Sequence, residues 1–147
     1  MDIKNIKGDP WLMTSEACSI YVQCMFNAAF KEYQQEIAEI TAMQECSVLA
    51  CLHDEQFVGI ITLEKISDDT AEIIGIAVKK EFQRCGIGKL MVRFAMQNLG
   101  VNFLNAETDD DAAGFYRRTG FAVTEFIRHF PDGDVTRYNC VLDVNTV

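Results

Sequence analysis

Histidine is scarce in this chain: His53 and His129 are the only two in 147 residues. Six cysteines, Cys18, Cys24, Cys46, Cys51, Cys85 and Cys140, form no C-x-x-C pair, so the spacings of a zinc site are not met and no metal is expected. Most of them sit in apolar runs and read as reduced, buried thiols, which suits the cytoplasm. Bases are few as well: 13 Lys and Arg against 22 Asp and Glu leave a net charge of −9, which argues against a nucleic-acid partner. No apolar run is long enough to cross a bilayer, and no basic start leads into one. Neither a membrane partner nor a signal peptide is expected. With two prolines and no repeat, linker or low-complexity stretch, residues 1–147 read as a single domain able to bury its own core.

The charge that is present is unevenly spread. From Glu32 to Glu72 ten acids face one base, Lys65, whereas Lys79 to Arg93 holds five bases and one acid, Glu81. The basic segment surrounds Gln83-Arg84-Cys85-Gly86-Ile87-Gly88-Lys89. This turn follows an apolar run, Ile73 to Val78, and opens a helical pattern, Leu90 to Leu99. A strand feeding a glycine turn that feeds a helix can hold phosphate, because the backbone approaches the anion closely and the first helical N–H groups point at it. The dinucleotide fingerprint fails at Met91, where a third small residue is needed. The nucleoside-triphosphate loop fails at Gln83 and Leu90, which stand where it requires Gly and Ser or Thr.

Periodicity predicts a short strand at Asp2 to Ile6, a helix from Thr14 or Ser15 to about Phe30, and a second helix from Lys31 to Cys46. Strands follow at Ser47 to Leu52, Phe57 to Leu63 and Ala71 to Val78, with connections too short for anything but an antiparallel meander. After the helix that Gly100 stops come a strand, Asn102 to Thr108, and a short helix, Ala112 to Arg118, with Asp109-Asp110-Asp111 at its start. Phe121 to Phe130 and Val135 to Val144 read as a hairpin across Pro131 to Asp134.

The glycine turn fills the pattern [Q/R]-x-x-G-x-[G/A], and Phe115-Tyr116-Arg117-Arg118-Thr119-Gly120-Phe121 matches F/L-Y-x-x-x-G-F. On these two segments the chain resembles the GNAT superfamily of acyl-CoA-dependent N-acetyltransferases. The resemblance implies an α/β (α+β) fold: a mixed, mostly antiparallel sheet flanked by helices, in the order β-α-α-β-β-β-α-β-α-β-β. It implies acetyl-CoA (coenzyme A) as cofactor. The diphosphate would lie on backbone groups of Gln83, Arg84, Cys85, Gly86, Ile87, Gly88 and Lys89. The pantetheine arm would run beside Ile76, Ala77 and Val78 like an added strand. Gly75 fits a bulge or a close ligand approach.

Acetyl transfer also needs a neutral amine and a stabilised thiolate. Deprotonating an alkylamine of pKa about 10.4 at pH 7 costs roughly 4.6 kcal/mol. Glu72, at the start of the central strand, is the candidate base; a solvent-facing edge glutamate is the competing reading. Tyr116 matches the tyrosine that in relatives points at the cofactor sulfur, and would be the acid; it would equally pack with Phe115 and Phe121. Asp109 stands where many relatives carry an asparagine, and reads as a helix cap. Cys85 and His53 read as non-catalytic. Trp11, Tyr21, Phe26, Phe30 and Tyr33 fall in the region that covers the acceptor in relatives. The acidic Glu32 to Glu72 stretch suggests a cationic acceptor, a small-molecule or protein amine. A non-catalytic acyl-CoA-binding or sensing domain is the alternative. The C-terminal hairpin could pair in a homodimer, as in some relatives, but does not require one.

Overall fold

Short connections force neighbouring strands antiparallel, and a parallel return needs a crossover of about a dozen residues or more. The computed structural model describes residues 1–146 and follows that rule. Its elements are β1 (Asp2–Asn5), α1 (Ser15–Tyr21), α2 (Phe30–Ala42), β2 (Cys46–His53), β3 (Gln56–Lys65), β4 (Thr70–Val78), α3 (Ile87–Leu99), β5 (Phe103–Thr108), α4 (Asp110–Thr119), β6 (Ala122–Phe130) and β7 (Gly133–Asp143), with short 3-10 turns between some of them. Seven strands form one sheet in the order β1-β2-β3-β4-β5-β7-β6, so β6, the outer strand of the C-terminal hairpin, is an edge. Among the described residues only β4 and β5, joined through α3, run parallel.

Alternating apolar residues bury both faces of the sheet. On one face Ile87, Met91, Val92 and Ala95 of α3 pack with Tyr116 and Phe121 against Leu49, Ile61, Leu63 and Leu104. On the other, Ile20 and Tyr21 of α1 and Tyr33 and Ile37 of α2 pack on Val48, Ala50, Ile60 and Ala77. No helix among the described residues is long and apolar enough to cross a membrane.

Two helices are shorter than the periodicity predicts. The first stops at Tyr21 rather than near Phe30. Val22–Cys24 tightens into a 3-10 turn, the Cys24 thiol donates to the Tyr21 carbonyl, and Asn27 takes a positive φ of 48°. The second stops at Ala42, because Lys7 Nζ donates to the carbonyls of Met43 (2.6 Å) and Cys46 (2.8 Å) and ties the helix end to the start of β2. Both terminations depend on partners distant in sequence or on sub-turn geometry, which apolar spacing does not encode.

The central irregularity lies in β4. Thr62 pairs with Gly75 but Leu63 pairs with Ile73, so Ile74 is an extra, unpaired residue, a β-bulge. β4 pairs with β5 only over Thr70–Glu72. Beyond the bulge the two strands part. Tyr21 holds this point: its Oη and Thr62 Oγ1 share a buried hydrogen bond of 2.6 Å, and the Thr62 hydroxyl donates to the Gly75 carbonyl at 3.3 Å. A Cβ on Gly75 would collide with Tyr21 Oη and lie 2.7 Å from Cys24 Sγ. Gly75→Ala is therefore expected to destabilise the fold by about 1–3 kcal/mol through overpacking, read as a lowered urea midpoint at unchanged slope.

Candidate active site

The gap between the parted strands opens into a cleft of about 1010 Å³. One wall is β4 from Ile73 to Val78. The opposite wall is the end of β5 with the start of α4, and one end is closed by the β6–β7 hairpin. Lys79 N–H donates to the Val58 carbonyl at 2.8 Å, which fixes the alternation of the antiparallel β3–β4 pair. Ala77 therefore turns its amide and carbonyl toward β3, and Ile76 and Val78 turn theirs toward the cleft. Of the three residues expected to pair with a pantetheine arm, Ile76 and Val78 offer backbone groups, while Ala77 lines the wall. The Val78 carbonyl is already engaged: Gln83 Nε2 donates to it at 2.9 Å and Gln23 Nε2 at 3.1 Å. Gln83 Nε2 also donates to Gln23 Oε1 at 2.8 Å, locking the glycine turn to the end of α1.

At the turn, Arg84 (φ 63°) and Gly86 (φ 82°) both adopt left-handed backbone. Gly86 stands at the N-cap of α3 with no side-chain cap, and the first helical bond is Leu90 N–H to the Gly86 carbonyl. The amides of Ile87, Gly88 and Lys89 thus have no partner among the described residues. An uncapped first turn with three free N–H groups and no acid in it fits an anion. Arg84, Lys89 and Arg93 are exposed around it, as is Cys85, whose thiol leans on the Gln83 carbonyl. Gly88 is buried, and a Cβ there would lie 2.6 Å from the Phe115 ring. The turn and α4 therefore touch.

Tyr116 borders the same cleft. Its ring packs edge-on against Phe115 (5.2 Å) and Phe121 (5.0 Å), the packing expected of it. Its hydroxyl has no hydrogen-bond partner among the described residues. Burial, with the nearby Cys140 and Cys24 thiols, raises its pKa well above the ordinary phenol value, so the group is a donor at any working pH.

Three sequence expectations need revision or refinement. Glu72 is exposed, on the rung where β4 still pairs with β5, and does not line the cleft. It does share a sheet face with Asn105 and so with Glu107. Of the aromatic residues expected to cover the acceptor, only Phe26 borders the cleft. Tyr21 and Tyr33 are fully buried, and Trp11 stacks at 4.4 Å on Phe57. None of the ten acids between Glu32 and Glu72 lines the cleft, so the basis for a cationic acceptor is not found there. Asp109 caps α4 through Ala112 N–H at 3.2 Å, as expected, and His53 lies at the β2–β3 hairpin beside Asp54, away from the cleft.

Sequence reading missed Gln23, Cys24, Glu107, Arg128 and Arg137, all of which line the cleft. The Cys24 thiol is pushed up to about 12 by burial and by the Glu36 carboxylate, against the opposing pull of the Ile76 amide, so it is no nucleophile at neutral pH. Glu107 takes Arg128 Nη2 on one oxygen at 2.5 Å and Arg137 Nε on the other at 3.1 Å. Burial would raise its pKa, but the two guanidiniums outweigh that and hold it below the ordinary carboxylate value.

An uncapped helical turn and a parted strand edge in one cleft match a known arrangement, and residues 14–121 match the model of the acetyltransferase (GNAT) family. The chain belongs to that family. It is an acetyl-CoA-dependent N-acetyltransferase. Solved structures share the GNAT fold over nearly the whole chain. An aminoglycoside 6'-acetyltransferase type Ii is 16% identical with a TM-score of 0.79, covering 98% of this chain and 97% of its own. The ribosomal-protein-S18-alanine N-acetyltransferase from Escherichia coli is 19% identical with a TM-score of 0.73, covering 97% and 93%. A GNAT acetyltransferase from Elizabethkingia anophelis with acetyl-CoA bound is 15% identical with a TM-score of 0.66, covering 97% of each chain. No curated protein sequence matches this GNAT chain significantly.

Proposed function

We propose that this acetyltransferase joins an acetyl group to a primary amine by direct attack in a ternary complex, with Tyr116 as the acid. The observation that carries the reading is a single cleft that reaches the uncapped start of α3 at Gly88 and has Tyr116, whose hydroxyl is unpartnered among the described residues, on its wall. Acetyl-CoA supplies the acyl group as a thioester that an amine attacks without a covalent enzyme intermediate. The amides of Ile87, Gly88 and Lys89 hold the diphosphate. Ile76 and the Val78 N–H align the pantetheine arm, and an N–H on this edge is positioned to polarise the thioester carbonyl. Tyr116 donates its proton to the departing sulfur. The amine's proton leaves through water to a carboxylate. Glu72, outside the cleft lining but on the sheet face it shares with Glu107, is the one we assign, since Glu107 is held by two arginines and is correspondingly weak as a base.

A screen of primary amines with acetyl-CoA, read by CoA release and by mass of the product, tests the activity. Binding of CoA with no turnover on any amine would favour a sensing domain instead. The pH profile tests the acid. Because the Tyr116 pKa is raised, its protonated form persists above the phenol reference of about 10. The rate is expected to climb with pH as more of the amine becomes neutral, with no descending limb up to about pH 10. A fall beginning near pH 8 would exclude Tyr116 as the donor.

A further inference from the structure

Two arginines sharing one carboxylate leave a net positive charge on the hairpin wall of the cleft, and we propose that the acceptor amine also carries a carboxylate, bound by Arg128 and Arg137. The proposal rests on the acetyltransferase reading above and specifies its second substrate. Each guanidinium has five N–H donors and gives one to Glu107, so most of the fork on each remains unengaged among the described residues. Both forks are held before any ligand arrives. Glu107 bridges them, and Arg128 lies over the Phe126 ring at 5.3 Å. Their side chains are 46% and 28% exposed, so they are open to a ligand from the cleft. A planar, paired guanidinium arrangement suits a carboxylate better than any cation.

The cleft border as a whole carries three acids, Glu107, Asp109 and Asp111, against these two arginines, so the positive charge is local to the hairpin wall. Asp109 and Asp111 lie at the start of α4, and Asp109 is engaged with Ala112 N–H. Further along the same face of the hairpin, Phe130 and Val135 are 48% and 44% exposed, and Phe26 borders the cleft from the α1–α2 connection. The acceptor that fits is an amine with a carboxylate and an apolar body, as in an apolar amino acid or a short apolar peptide.

The test is a panel of apolar amino acids, each beside its amide and its decarboxylated amine, with spermidine as a polycation. The carboxylate form is expected to exceed its amide by about 10- to 100-fold in kcat/KM, the worth of a charged hydrogen bond or two. Arg128→Gln and Arg137→Gln are each expected to shrink that ratio about tenfold, and CoA titration of each variant reports whether the fold is intact. Preference for amides or for spermidine, or a ratio that survives in both variants, overturns the proposal and leaves the acetyltransferase reading standing. Should no amine be acetylated, that reading fails. The subsite is then decided by calorimetry on CoA-saturated protein: carboxylate amines that bind wild type and are lost in the arginine variants support it, and absence of binding overturns it.

Discussion

A Gly86→Glu variant is expected to lose CoA binding almost entirely, while Gly86→Gln retains most of it. Nothing lies within 4 Å of a Cβ placed at this position, so both side chains leave the backbone into open space. Both carry the same cost of a non-glycine residue at φ 82°, about 1–2 kcal/mol of stability. They differ by one negative charge beside the free amides of Ile87, Gly88 and Lys89. At about 5 Å and an effective dielectric constant near 20, a unit charge repels each phosphate charge by about 3 kcal/mol, roughly 100-fold in affinity. Calorimetric titration of CoA into the two variants reads the difference directly. Equal affinities, or a glutamate variant that binds like wild type, would mean that the diphosphate does not lie on this turn.

Tyr116→Phe is expected to lower kcat by about 100- to 10,000-fold, the usual range for a lost general acid. CoA affinity should be little changed, because the ring's contacts are with Phe115 and Phe121 and the hydroxyl bonds to nothing in the protein among the described residues. The variant removes one oxygen from a buried side chain and leaves no orphaned partner, so its fold should survive. Stopped assays at saturating acetyl-CoA, with titration as the binding control, separate the two effects. A kcat within a few fold of wild type would return Tyr116 to a packing role and leave the thiolate to another group. The rate loss at Tyr116 and the affinity loss at Gly86 fall on different kinetic parameters, so each can fail without the other.

The order of elements was legible because it depends on local chemistry: apolar period, caps and turns. Asp109 before α4, Gly100 after α3 and the Pro131-Asp132 turn each act within a few residues. The glycine turn was legible for the same reason, since an uncapped helix start is a local property of backbone. The hairpin wall of the cleft was not. Glu107, Arg128 and Arg137 become neighbours only when β5 pairs with β7 and β7 with β6, placing Glu107 opposite Asn139 and Arg137 opposite Phe126. A count of charge along the chain pointed instead to Glu32 through Glu72, whose acids end up outside the cleft. The early stop of α1 was hidden for a related reason. Gln23 leaves the helical run to bond the Val78 carbonyl, 55 residues away in sequence.

The buried contact between Gly88 and the Phe115 ring makes one mechanical unit of two segments some thirty residues apart. The residue proposed to hold phosphate and the neighbour of the proposed proton donor lean on each other through the space a methyl group would fill. A side chain there would press on the Phe115 ring, the neighbour of Tyr116. The size of the residue at position 88 is thereby tied to where the Phe115 ring, and with it the start of the second signature, can sit.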